Sequence, residues 1–276
     1  MIFNMKRFFL GSILSVLGFL LFFSSCSNDE MLKLESPEGK NNVVFLLKDG
    51  MPYYQVLRGG RTVIDTSGLG FELKDMPPLT GNFSMEKAVM SGHHERWEPV
   101  WGQRSSIWNN YNSLLVTLKE NADPGRTMEL EFRAYDDGVA FRYLVPEQEG
   151  LSKLEIMKEI TEFRFKEDYS TWWIPGDYDN HEFLYRNTPL CKIDSANTPL
   201  TMESADSLCL SVHEAALVNY PEMKLRRSKE EPLTLLCDLV PWPDGVKAKV
   251  DVPFQTPWRS VQLADEAGNL IESSLS

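Results

Sequence analysis

The chain has 276 residues with 40 acidic and 28 basic side chains, a formal charge of −12 at pH 7. That balance argues against nucleic acid as a partner, because phosphate binding needs a basic surface. It suits neutral ligands such as sugars and cations such as calcium.

The N-terminus is a targeting segment and is set aside before the fold is read. Lys6 and Arg7 precede an apolar run from Phe8 to Phe23, and small residues precede Cys26. Residues 1–25 are read as a lipoprotein-type signal, cut before Cys26, which then carries lipid. Phe23 occupies a position where such signals usually have Leu. The run is short against the ~20 residues of a membrane span. Residues 26–33 read as a polar tether and 34–276 as one domain. Asp29 and Glu30 resemble the signal that sends some Gram-negative lipoproteins outward. The expected location is therefore the outer membrane, periplasmic or surface-facing, with the lipid as anchor. The signal holds two basic residues and no acidic ones, so the mature chain is more negative still.

Beyond the tether, short apolar runs bounded by turn residues predict strands over 43–47, 53–58, 69–73 and 114–118. A helix is expected only weakly, over "MEKAVM" (85–90). The clearest element is a hairpin. Met128, Leu130, Phe132 and Ala134 alternate with Glu129, Glu131 and Arg133, then Asp136-Asp137-Gly138 turns the chain into Val139, Phe141, Tyr143 and Val145. One helical turn is expected at "HEFLYR", and further strands over 234–240 and 260–264. Many short strands with frequent turns predict one all-β sandwich with few short helices.

Three cysteines follow Cys26: Cys191, Cys209 and Cys237. No pair has metal spacing. Cys209 and Cys237 lie in apolar runs and read as buried, inert thiols, with a bridge between them as the lesser alternative.

The polar aromatic stretches carry the candidate chemistry. Seven tryptophans are present, and "ERWEPVWGQRSSIWNNYN" surrounds three of them with amide and charged groups. A tryptophan face stacks on a pyranose while amides and guanidinium bond its hydroxyls. Trp101, Arg104, Asn109 and Asn110 are therefore candidate sugar contacts, although a single tryptophan is more often core. "GDYDNHE" gathers Asp177, Asp179, His181 and Glu182. It lacks the spacing and central glycine of an EF-hand, so a metal site confined to this loop is weak and a shared one is stronger. Asp177 and His181 are further candidate sugar contacts, and a plain acidic surface loop is the alternative. His213 and Glu214 are adjacent on a predicted strand, so they face opposite ways and do not act as a pair. His93 and His94 lack a third ligand and read as a solvated loop. Serine-hydrolase, zinc-protease and nucleotide motifs are absent from the sequence.

Five stretches, "WEPVWGQRSSIWNNYNSLLVTLKE", "ELEFRAYDDGVAFRYLVPEQ", "WWIPGDYDNHEFLYRNTPL", "LSVHEAALVNYPEMKL" and "TPWRSVQLADEAGNLIESSL", resemble, in order, the N-terminal domain of glycoside hydrolase family 97. The resemblance runs from about residue 34 to 275. It implies a β-super-sandwich like that of galactose mutarotase, followed in the family by a catalytic (β/α)₈ barrel. The family contains α-glucosidases and α-galactosidases, with catalytic carboxylates on the barrel. The resemblance further implies that Glu182 is the sandwich's ligand to a calcium ion otherwise held by the barrel, and that this chain alone is not catalytic. Expected partners are an α-glucoside or α-galactoside and a barrel domain in a longer or neighbouring chain. A stand-alone carbohydrate-binding lipoprotein is the alternative reading. A mutarotase-like epimerase is a weaker one, resting on fold analogy alone.

Overall fold

The computed structural model describes residues 29–102, 104–273 and 275. The signal and Cys26 lie outside the described residues. Regular structure is nearly all strand. The described helices are a 3-10 turn, Leu190–Lys192, and one short α-helix, Ala267–Glu272.

Two large antiparallel sheets face each other, with a small third sheet at their margin. The eight-stranded sheet runs in the order Glu30–Glu35, Asn41–Lys48, Met51–Arg58, Arg61–Gly68, Glu162–Phe165, Thr234–Leu239, Met223–Arg227, Ser195–Asn197. The ten-stranded sheet runs Arg186–Pro189, Ser170–Trp173, Leu200–Glu203, Cys209–Ala215, Trp258–Ala264, Gly138–Val145, Thr127–Tyr135, Ile107–Glu120, Phe83–Trp97. Its tenth strand, Phe254–Gln255, pairs with Gly138–Val145. The third sheet joins Ala248–Asp251, Lys153–Glu159 and Phe71–Leu73.

Alternation along the strands builds the core. Met128, Leu130, Phe132 and Ala134 are fully buried while their neighbours are half-exposed. Rings meet across the two sheets: Phe45 against Phe132 at 6.0 Å, Tyr54 against Phe141 at 4.7 Å. The expected hairpin is present, with Tyr135 paired to Gly138. Gly138 has to be glycine, because a Cβ there would sit 2.4 Å from the Val261 carbonyl oxygen.

Several expectations are corrected. Residues 85–90 lie inside the long strand Phe83–Trp97, not a helix, because pairing with Ile107–Glu120 overrides local helix propensity. His93 and His94 are on that same strand, half-buried and exposed respectively, rather than in a loop. "HEFLYR" makes no helical turn: residues 181–185 are irregular and Arg186 opens a strand. Glu30–Lys33, expected to be tether, belong to a strand paired with Asn41–Lys48. Cys209 and Cys237 are buried and unbridged, and Cys191 is also a free thiol.

Candidate functional site

The acidic loop spans residues 174–185. It joins Ser170–Trp173 to Arg186–Pro189, a hairpin at the outer margin of the ten-stranded sheet. Before turning back, the chain docks on the other sheet. Gly176 N–H donates to the Ser195 carbonyl at 2.8 Å, and Asn197 N–H to the Ile174 carbonyl at 3.1 Å. A Cβ on Gly176 would meet Ser195 Oγ at 2.2 Å, so any side chain there would have to push that hydroxyl aside.

Asp177 organises the turn that follows. Its carboxylate accepts from the backbone N–H of Asp179 at 2.8 Å and of Asn180 at 3.0 Å, an Asx arrangement. Asn180 Oδ1 in turn accepts from Glu182 N–H at 2.9 Å. Tyr178 hydroxyl donates to Asp238 at 2.9 Å, and Arg226 and Lys247 contact the same carboxylate. These three partners hold the Asp238 carboxyl below its ordinary range against the opposing effect of burial, which is the largest single influence on it.

His181 is fixed by charge. Lys224, whose side chain is fully buried, places Nζ 2.8 Å from His181 Nε2 and 2.6 Å from Glu222 Oε1. Nε2 also lies 3.0 Å from Glu222 Oε1, so the ring nitrogen faces the ammonium and the carboxylate together. The Glu182 side chain has no hydrogen bond or ion pair among the described residues and is exposed. Of the loop's acidic groups, Asp177 is engaged with backbone, whereas Asp179 and Glu182 both present exposed carboxylates with no side-chain partner among the described residues. No group of three or more His, Cys, Asp or Glu side chains converges to hold a metal among the described residues.

Trp101, Arg104, Asn109 and Asn110 gather elsewhere. They line one depression of about 1290 Å³ at the end of the Phe83–Trp97/Ile107–Glu120 hairpin, with Trp97 and Trp108. Trp101 is 89% exposed, and Arg104 donates to the Glu272 carbonyl. That hairpin and the acidic loop lie at opposite margins of the ten-stranded sheet. The depression reaches back over the sheet to Leu263, Ala264 and Glu272, and no residue of the 174–185 loop lines it. The two sets of candidate residues are therefore two places, not one site.

Glu214 faces the core and His213 the outer surface. Glu214 joins a buried cluster that sequence reasoning missed. Arg259 bonds both oxygens of Glu159, at 2.8 and 2.7 Å, and one of Glu214 at 2.7 Å. Thr161 and Tyr220 hydroxyls also donate to Glu159. Burial pushes the Glu159 carboxyl up, but Arg259 and these donors outweigh it and leave the group below its ordinary value. Glu214 has one arginine contact and ends above its ordinary value, because burial prevails. The signal was present in the sequence: Arg259 and Glu214 each share the inward phase of an otherwise apolar strand.

The model for "Glycosyl-hydrolase 97 N-terminal" matches residues 34–276. The chain belongs to that family. A glycoside hydrolase family 97 enzyme from Pseudoalteromonas sp. strain K8, solved in complex with panose, is similar at TM-score 0.84 and 35% identity, over 88% of this chain and 37% of that one. A structure of the family 97 enzyme from the same strain in complex with acarbose matches equally well. A retaining α-galactosidase of Bacteroides thetaiotaomicron is 23% identical over 91% of this chain and 41% of its own length. A probable retaining α-galactosidase of Streptomyces bingchenggensis is 26% identical over 77% and 32%. This chain thus spans about two fifths or less of these family 97 relatives.

Proposed function

We propose that this sandwich serves a calcium-dependent exo-α-glycosidase, an α-glucosidase or α-galactosidase, by supporting a catalytic barrel and supplying Glu182 to a shared calcium ion. The observation that carries the reading is the outward, unpartnered Glu182 carboxylate, which shares with that of Asp179 a loop tied down by Asp177, Asn180, Tyr178 and His181. Calcium takes six to eight oxygens, and Glu182 fits as one of them but is far from a full set. The remaining ligands, and the catalytic carboxylates, would come from the barrel. Asp177 and His181 act on this reading as supports of the loop rather than as sugar contacts. A lipid on Cys26 would hold the assembly at the outer membrane.

The test is reconstitution. The chain is combined with a family 97 barrel lacking its own sandwich, and hydrolysis of p-nitrophenyl α-glucoside and α-galactoside is followed with calcium or chelator. Activity is expected only from the two parts together with calcium, and Glu182→Gln should remove most of it. Equal activity with Glu182→Gln would refute the ligand role.

The exposed Trp97, Trp101 and Trp108 around the larger depression favour a second reading, a carbohydrate-binding lipoprotein. A mutarotase-like role gains no support from His213 and Glu214, which lie on opposite faces of their strand.

A further inference from the structure

The outer face of the ten-stranded sheet carries a cavity of about 650 Å³, walled on one side by Leu270 and Ile271 of the short helix. Its floor follows the sheet register. Trp172 pairs with Thr201, Thr201 with Ser211, and Ser211 with Gln262, so four outward side chains form a row straight across four strands. Gly138 ends the row, opposite Gln262. One step along the strands, His213 stands beside this row, and Glu203 flanks it on the other side.

These groups are polar yet unused. Among the described residues, the side chains of Trp172, Thr201, Ser211, Gln262 and Glu203 make no hydrogen bond or ion pair. His213 Nδ1 and the Oγ of its cross-strand partner Ser260 are both buried without a partner. Both atoms are closed off from the cavity and Ser260 does not line it, whereas His213 Nε2 is neither buried nor bonded and is the ring atom open to a ligand. Burial lowers the His213 pKa, and the imidazole is neutral at pH 7. The lining contains no cation and one carboxylate, which disfavours phosphate or uronic acid ligands. A half-exposed indole face next to a row of hydroxyl and amide groups matches a pyranose, with its apolar face on Trp172 and its hydroxyls over the row.

We propose that this cavity is a binding site for a neutral saccharide, with Trp172 as platform and Thr201, Ser211, His213 and Gln262 as hydroxyl partners. It is separate from the calcium reading, since none of its lining residues belongs to the 176–185 loop.

The experiment is calorimetric titration of the chain with panose and with melibiose, with and without chelator. Saturable binding of one of them is expected, indifferent to chelator. Trp172→Ala is expected to weaken it about tenfold, the contribution of one stacking platform. Gln262→Ala, on a solvent-facing position, should also weaken it and carries the test alone if Trp172→Ala does not fold. No saturable binding of either sugar at about 10 mM, above the range of a weak millimolar site, overturns the proposal. So does wild-type affinity in either folded variant, including the case where Trp101→Ala is the change that abolishes binding. Loss of binding on chelation would assign the sugar to the calcium loop instead and also overturns it.

Discussion

A guanidinium in the middle of a sandwich core is tolerated only when its charge and its donors are matched. Arg259 is fully buried, and two carboxylates from different strands meet it. Removing the cation alone strands two carboxylates in an apolar interior. Arg259→Met is therefore expected to destabilise the domain by about 3–5 kcal/mol, read from urea unfolding. Adding Glu159→Gln and Glu214→Gln should recover part of the loss, because the stranded charges are then gone. The same cluster sets an acid dependence. Glu159 has a folded pKa below its unfolded one, so its contribution is fully present above the unfolded value of about 4.3 and fades as pH falls through the folded value. Glu214, raised in the fold, has the opposite sign: its protonated form is favoured, and its contribution fades as pH rises from the unfolded value through the folded one. Glu159→Gln should therefore flatten the fall in unfolding free energy below about pH 4.3. An unchanged slope would mean that Glu159 does not titrate with unfolding.

At the scale of elements, the 176–185 loop has little packing of its own and depends on side chains returning to backbone. Asp177→Ala deletes the acceptor of two N–H groups. Amide exchange at Asp179 and Asn180 should accelerate by about tenfold or more, while the strands on either side keep their protection. Uniform acceleration across the sheet would show a fold defect instead. What the sequence displayed of such elements depends on burial contrast. The 127–145 hairpin was legible because one face is core and the other solvent, which writes period two into the residues. The strand Phe83–Trp97 was not: it is the sheet's edge strand, exposed along most of its length. No alternation is imposed there, and Met, Glu, Lys and Ala read as helix. The acidic loop was legible as a cluster, but Asn197, Glu222 and Lys224, which fix it, come 17 or more residues after the groups they bond. Nothing local announces them.

At the scale of the molecule, one core joins the two large sheets, and Glu182, Trp101 and Trp172 are all exposed around it. The scaffold therefore presents groups outward rather than enclosing a complete centre. This bears directly on calcium. A single exposed carboxylate supplies a small part of a six-to-eight-oxygen shell, so affinity in the isolated chain should be no tighter than millimolar. At about 1 mM calcium, a site of that strength stabilises the fold by at most about 0.4 kcal/mol. For a domain of this size that is a rise in thermal midpoint of no more than about 2 °C. Calorimetric scans with calcium and with chelator would show it. Coincident or nearly coincident midpoints agree with a shared ion to which this chain brings Glu182. A rise of many degrees would mean that the chain holds a full calcium site by itself, and the shared-ligand reading would fall with it.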